Sequence, residues 1–323
     1  MYLMGAYMTF SIVLYTVGNY QEQYEELLKK YRLEKQLSIH SYLHKPHQAP
    51  CFEAIKDADA VIGEFMPVYG DTVELFKASN VKALASMSIG LNHIDVEGLG
   101  RSGIKVFNCP GYCSYDVALH SLALMLDLQR QISSGYAEVL RGRWSPRYGY
   151  EMHRPKGQTL GLVFFGSIAR SFAPLAQAIG MKVQVWAPTK TQADLDPYGC
   201  RYVSSLNELL STSDVVSLHC PLIDSTRHLL SFNEFKRMKR SAFLINTSRG
   251  AVVDEEALAW ALAHHEIAGA AVDVLEHETR VHESPLLHAP NCIITPHSAY
   301  LSHEADAALV HMTFDSLRKF LLA

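Results

Sequence analysis

Residues 159–170 read Thr159-Leu160-Gly161-Leu162-Val163-Phe164-Phe165-Gly166-Ser167-Ile168-Ala169-Arg170. An apolar run of strand length, Leu160–Phe164, ends in a short turn, and a helical pattern, Ser171–Ile179, follows. A strand that turns on small residues into a helix is the unit of parallel α/β sheets, and such a turn can seat the phosphates of a dinucleotide. It asks for G-x-G-x-x-G/A. Gly166 fills the middle place, where the missing side chain lets the backbone approach a pyrophosphate. Ala169 is the permitted substitute at the third place, where helix and strand pack closely. Phe164 stands where the first glycine belongs, and this is a departure from the pattern.

The alternation extends in both directions. Downstream, strands are expected at Lys182–Trp186, Val215–His219, Ala242–Asn246, Gly269–Asp273 and Cys292–Ile294. Helices are expected at Leu206–Ser211, Phe232–Met238, Glu255–His265 and Glu304–Leu322. Upstream, Ile12–Val17, Ala60–Gly63, Ala83–Ser86 and Val106–Asn108 read as strands, with helices at Gln21–Tyr31 and Thr72–Ala78. Between the two series, Ser114–Ile132 reads as one long helix with few charges. A helix apolar on most sides is buried, so this one is expected between domains or between two copies of the chain, an internal core helix being the alternative.

A single core stops growing near roughly 250–300 residues, and this chain has 323. The pattern therefore predicts an α/β protein of two doubly wound parallel-sheet domains, Rossmann/flavodoxin-like. The first spans residues 1 to about 109 and is completed by 297–323. The second spans about 110 to 296, with chain crossings near Pro110-Gly111 and Pro296. Met8 precedes the first strand, and residues 1–7 read as an over-extended, mobile start.

Composition narrows the function. Hydrophobic residues make up 48%, charged residues 19%, and the net charge is −4. No basic surface is called for, so nucleic-acid binding is not expected. No run of roughly 18 apolar residues exists, so no membrane span is expected. The six cysteines form no CxxC, which predicts reduced thiols in a cytoplasm, with neither a disulfide framework nor a metal site.

The strand after the glycine turn ends Val185-Trp186-Ala187-Pro188-Thr189-Lys190. Its last place should carry an acid that binds the adenosine ribose of NAD, about 20 residues beyond the turn. Ala187 holds that place. Without the carboxylate a 2′-phosphate is not repelled, and Thr189 and Lys190 are candidates to bind it, a solvated loop lysine being the alternative. NADP is expected to bind at least as well as NAD.

Three further segments sit at strand ends. They are Leu244-Ile245-Asn246-Thr247-Ser248-Arg249-Gly250, then Val272-Asp273-Val274-Leu275-Glu276-His277-Glu278, then Ile294-Thr295-Pro296-His297-Ser298-Ala299. Glu278 follows Arg249 by 29 residues and His297 follows Glu278 by 19. With Ser88-Ile89-Gly90-Leu91-Asn92-His93-Ile94-Asp95, the run Gly103 to Tyr112, and Val215 to Leu222, these segments resemble the D-2-hydroxyacid dehydrogenase family over nearly the whole chain. That family includes glyoxylate and hydroxypyruvate reductases and phosphoglycerate dehydrogenases.

The resemblance implies a catalytic set of Arg249, Glu278 and His297. Arginine's planar fork suits a carboxylate and its neighbouring oxygen. Histidine is the side chain poised to move a proton near neutral pH, and a carboxylate beside it fixes its orientation. Glu276 is a nearby competitor for that second role. The resemblance also implies that Ile89 and Gly90, with Arg249, bind substrate. It implies cofactor contacts at Gly166, Ser167, Ile168, Cys220, Pro221, Thr247 and Asp273, the last to the nicotinamide amide. His93, His120 and His219 are expected to be structural. Thr279 stands where the family often has proline. The expected activity is hydride transfer between NAD(P) and a small 2-hydroxy acid or 2-keto acid in a cytoplasmic homodimer. The alternative, for which Phe164 and Ala187 argue, is a degenerate, non-catalytic member acting as a nucleotide-sensing or interaction module. A formate enzyme is disfavoured, since that branch carries glutamine in place of Glu278.

Overall fold

The computed structural model describes residues 9–323; the reading of residues 1–7 as an over-extended start lies outside these. The chain divides into two compact units, one running to Tyr112 and including Ser302–Ala323, the other Cys113–Leu301. The sequence suggests divisions at 109/110 and 296/297. The structure keeps His297 and its neighbours with the second unit, because Asp273 of that unit holds their backbone.

The first unit is a parallel sheet of β1 (Phe10–Thr16), β2 (Leu37–Leu43), β3 (Ala60–Gly63), β4 (Ala83–Ser86) and β5 (Lys105–Phe107), in the order β2-β1-β3-β4-β5. β3 and β4 are buried along their whole length, as strands covered by helices on both faces must be. β2 lacks the continuous apolar run that marks the others, because it is an edge strand whose last four residues are exposed. The helix His303–Leu321 returns to this sheet, where Phe314 packs against Tyr24 and Tyr31, and the Tyr24 hydroxyl meets Thr313 Oγ1 at 2.6 Å.

The second unit is a parallel sheet of β6 (Thr159–Val163), β7 (Lys182–Trp186), β8 (Arg201–Tyr202), β9 (Val215–Leu218), β10 (Phe243–Asn246), β11 (Gly269–Val272) and β12 (Cys292–Ile294). Its order is β12-β11-β10-β9-β6-β7-β8. The chain runs outward from β6 through β7 to β8, then restarts beside β6 at β9 and runs the other way. That reversal is the switch point at which open α/β sheets bind ligands, at the carboxyl ends of their strands. Apolar clusters cover both faces, one around Leu244, Val216 and Phe235, the other around Phe172, Leu162 and Ile245.

The expected single helix Ser114–Ile132 is two helices, Ser114–Arg130 and Ile132–Leu140. Gln131 separates them in the left-handed region at φ 51. Its buried side chain is fixed by a 2.6 Å bond from Nε2 to the Tyr150 carbonyl, and Asp127 Oδ1 accepts from the Ser133 N–H at 2.8 Å. These two side-chain contacts turn the chain at a point where apolar patterning runs on. The expected helix Phe232–Met238 is likewise shorter, Phe232–Phe235. The helix after β6 starts at Ser167, four residues earlier than the pattern suggests.

Candidate active site

Because all seven strands of the second unit are parallel, the loops after β6, β7, β9, β10, β11 and β12 emerge on one edge. Read across the sheet, they bring His297, then Asp273 and Glu278, then Thr247 and Arg249, then Cys220 and Pro221, then Gly166–Ile168, then Ala187–Lys190. The sequence-marked residues of this unit thus share one edge, with the three candidate catalytic side chains at one end and the glycine turn in the middle.

At the turn, Phe164 adopts the left-handed conformation expected of a glycine, φ 69. Its N–H still bonds the Trp186 carbonyl at 2.8 Å, and its ring meets the Trp186 ring edge-on with centroids 6.0 Å apart. The phenyl group therefore packs on β7 and the core, and the turn survives. Gly166 has an ordinary φ of −84, and a Cβ built there meets nothing within 4 Å. Neither conformation nor packing requires glycine at that place, so the open space suits a group from outside the chain. The helix Ser167–Ala178 begins beside it with no side-chain cap, leaving main-chain N–H groups as a place for a phosphate. Ala169 is fully buried, as close packing of helix and strand requires. These features fit a dinucleotide.

At the far side, Thr189 is exposed and Lys190 half-buried. Ala187 is fully buried in the core, so it offers no exposed atom, and its relevance lies in the missing carboxylate. Nearer the middle, Cys220 is buried, which pushes its thiol up to about 11; it is no nucleophile at neutral pH. Thr247 Oγ1 and Ser121 Oγ lie 2.9 Å apart in the interior. Pro221 is exposed, and its carbonyl accepts from Thr226 Oγ1 at 2.6 Å. Burial pushes the His219 imidazole down to about 3, and Ser217 Oγ lies 2.9 Å from its Nε2.

Arg249 follows β10 in extended conformation. Its carbonyl is held by Asn246 Nδ2 at 3.0 Å, and its Nη1 donates to the Ser248 carbonyl at 2.7 Å. The next residue must be glycine: a Cβ on Gly250 would lie 2.0 Å from the carbonyl carbon of Leu275. That contact lays the Arg249 loop directly on the strand-end segment that leads to Glu278. Glu255 secures this segment, accepting from the Glu276 N–H at 2.6 Å and from Ser284 Oγ at 2.5 Å.

Glu278 and His297 meet squarely, with Nδ1 2.9 Å from both carboxylate oxygens. Burial pushes the Glu278 carboxyl up, but the bond and charge of His297, a bond from the Leu275 backbone and the charge of Arg249 outweigh it. The net shift is downward, so Glu278 is a carboxylate at neutral pH. A carboxylate only accepts, so Nδ1 carries the proton and Nε2 is the atom left to exchange one. Glu276, the competitor, is engaged elsewhere, with Arg227 at 3.3 Å and His228 at 3.2 Å. Tyr300 meets the His297 ring edge-on, centroids 6.2 Å apart. Pattern reading missed two contacts here, the Tyr300 ring and the Asn246 side chain; both depend on how loops fold back, and neither residue type is unusual for its place.

In the first unit, the Ile89 carbonyl accepts from Asn108 Nδ2 at 2.7 Å and the Gly90 carbonyl from Ser88 Oγ at 2.9 Å. Among the described residues no acceptor takes the N–H of Ile89 or Gly90. With carbonyls pinned and N–H groups open, this turn suits an anion. Among the described residues, no group of three or more His, Cys, Asp or Glu is placed to hold a metal ion, and no helix is long and apolar enough to cross a membrane.

Residues 122–299 match the family described as D-isomer specific 2-hydroxyacid dehydrogenase, NAD binding domain. Over 282 residues the chain is 34% identical to a glyoxylate reductase of Korarchaeum cryptofilum, spanning 85% of this chain and 83% of that protein. It is 33% identical to a hydroxypyruvate reductase of Blautia hydrogenotrophica over 83% of each. In structure it is similar to a D-lactate dehydrogenase of Aquifex aeolicus solved with NAD and lactic acid. That match has a TM-score of 0.82 at 28% identity, covering 96% of this chain and 95% of the other.

Proposed function

This chain belongs to the D-isomer specific 2-hydroxyacid dehydrogenase family, and from that premise we propose that it reduces a small 2-keto acid to the D-2-hydroxy acid, reversibly. The observation that carries the proposal is the two-oxygen contact of Glu278 with His297 Nδ1 at 2.9 Å, beside Arg249. Arg249 binds the substrate carboxylate and the neighbouring C2 oxygen through its fork. His297 Nε2 delivers a proton to that oxygen as it becomes a hydroxyl, and takes it back in the reverse direction. Glu278 holds the imidazole in the required tautomer and stabilises the imidazolium. A nicotinamide dinucleotide held along this edge would supply or accept the hydride at C2. Ile89 and Gly90 are proposed to bind the substrate carboxylate through their N–H groups.

The proposed cofactor residues are Gly166, Ser167 and Ile168 at the helix start, Cys220, Pro221, Thr247 and Asp273 along the edge, and Thr189 and Lys190 at its far end. The uncapped helix start and the open space at Gly166 support the phosphate contacts. NADP is proposed to bind at least as well as NAD, because Ala187 supplies no carboxylate and Thr189 and Lys190 are accessible. A cytoplasmic setting is proposed, since the six cysteines form no CxxC and suit a compartment that keeps thiols reduced. The non-catalytic alternative rested on Phe164 and Ala187. Against it stand the glycine-like conformation of Phe164 and the contact between Glu278 and His297.

The test is a screen of 2-keto acids against both reduced cofactors, followed by loss of nicotinamide absorbance. Turnover with at least one small keto acid is expected. Absence of turnover across the panel, in protein shown to bind the cofactor, would refute the proposal.

A further inference from the structure

Asp273 is 1% exposed and lies one residue past β11. The loop after β12 hangs on it. Oδ1 accepts from Thr295 Oγ1 at 2.5 Å and from the Ser298 N–H at 3.0 Å, and Oδ2 accepts from the Ala299 N–H at 2.9 Å. The Asp273 carbonyl accepts from the His297 N–H at 2.8 Å. His297 sits in the middle of these four attachments with φ 52, a left-handed conformation that costs energy for a residue with a side chain and is held here by its surroundings. The Asp273 N–H in turn donates to the Asn246 carbonyl at 2.9 Å, and Asn246 is the residue that shapes the Arg249 loop.

The network reaches one residue further. His120 Nε2 lies 3.1 Å from Thr295 Oγ1 and 3.6 Å from Asp273 Oδ1. A threonine hydroxyl has a single proton, and a carboxylate can only accept. Thr295 therefore donates to Asp273, and His120 Nε2 must be the donor to Thr295. The proton order is His120 to Thr295 to Asp273, which puts a proton on His120 Nε2.

We propose that Asp273 is a positioning residue for His297, and that Thr295 and His120 complete the device. The carboxylate fixes the backbone of Thr295–Ala299 in the one conformation that aims His297 Nδ1 at Glu278. The proposal rests on the catalytic reading only for what His297 then does. It is separate from a contact of Asp273 with the nicotinamide amide, because both carboxylate oxygens and the carbonyl of Asp273 already accept from the loop itself.

The test uses the full chain, with amide exchange and resonances read without added cofactor and kcat and KM read in the assay with it. In Asp273→Asn, an amide nitrogen now faces a main-chain donor, so the loop should release. Losing a hydrogen bond to a charged group corresponds to about ten- to a hundredfold. Exchange of the Ser298 and Ala299 amides should quicken by that order, and kcat should fall similarly with a smaller change in KM. The nitrogen resonances of His297 should move toward those seen in Glu278→Gln. Thr295→Val should quicken the same amides without altering cofactor affinity, Thr295→Ser should restore them, and His120→Gln, which keeps a donor, should leave them protected. If Asp273→Asn leaves exchange and the His297 resonances unchanged and only weakens cofactor binding, the positioning role is wrong. Should Asp273→Asn not fold, Thr295→Val decides by the same two readouts, and unaltered amides there would overturn the proposal. A lack of turnover in the parent chain would count against the catalytic reading, while exchange and resonances would still judge Asp273.

Discussion

At the scale of single residues, the proposed chemistry is concentrated in three side chains, Arg249, Glu278 and His297, whose environments divide their proposed roles. His297→Gln keeps the shape of the ring site but cannot exchange a proton. Proton transfer by a positioned group is worth roughly 100- to 10,000-fold, so kcat should fall by that range while cofactor binding and melting temperature stay as in the parent. Near-parental kcat would remove His297 from the mechanism. Arg249→Lys keeps the charge and loses the fork. A loss in kcat/KM of on the order of a hundredfold is expected, since charged hydrogen bonds contribute about 1.5–3 kcal/mol each; an unchanged value would place the carboxylate elsewhere.

Glu278 adds a pH dependence with a definite sign. Its folded carboxyl is held below the usual glutamate value, so its pairing stabilises the fold fully above the unfolded value, about 4.3. That contribution disappears as the pH falls through the lowered folded value. Thermal melts between neutral pH and acid should show parent and Glu278→Gln converging below the usual glutamate range. A difference that persists unchanged into strong acid would contradict this. That these three residues gather at one end of the sheet edge was legible in the sequence, because each follows a strand-like run and because their order and spacing are specific. The hold of Asp273 on the loop of His297 was not legible. Its partners lie 22 to 26 residues away, and nothing in a local pattern says which loop folds back on which strand.

At the scale of elements, most strands announce themselves as short apolar runs, since both faces of a parallel sheet are covered. β2 and β8 do not, being edge strands with exposed residues. The break at Gln131 was also hidden, because a buried glutamine bound to a carbonyl beyond the helix replaces the usual glycine. Phe164 is the instructive element-level case. The sequence marks it as damage to the fingerprint, yet the backbone keeps the glycine conformation and the ring finds Trp186. A left-handed L-residue costs about 1–2 kcal/mol, offset here by aromatic packing. Ala187 has the opposite lesson, since a buried alanine hides what its absent carboxylate changes. Ala187→Asp should lower the melting temperature by burying a charge and should weaken NADP relative to NAD. Calorimetry with both dinucleotides checks this, and an unchanged preference would show that the place does not face the ribose.

At the scale of the whole molecule, the apolar surface that the sequence assigns to one long helix is in fact displaced along the chain. The inner face of Ser114–Arg130 is buried within its own unit, with Ala118, Leu124, Met125 and Leu128 in the apolar cluster around Phe172. Exposure concentrates just beyond it: Ile132 at 61%, Tyr136 at 66%, Leu140 at 69% and Trp144 at 91%. No residue of the helix Ile132–Leu140 is buried, which is unusual for a helix this apolar. Soluble monomers rarely leave contiguous apolar patches of this kind uncovered. A patch on one copy meets the same patch on another most simply about a twofold axis. The chain is therefore expected to be a homodimer through Ile132–Trp144, with light scattering at micromolar concentration giving twice the chain mass. Tyr136→Asp combined with Trp144→Asp should shift the mass to that of one chain, because a charge in a buried apolar contact is costly while the same charge on an exposed surface is not. These side chains are exposed in the single chain, so the variant should fold. A parent that scatters as a monomer, or a double variant that remains a dimer, would assign the patch to another role.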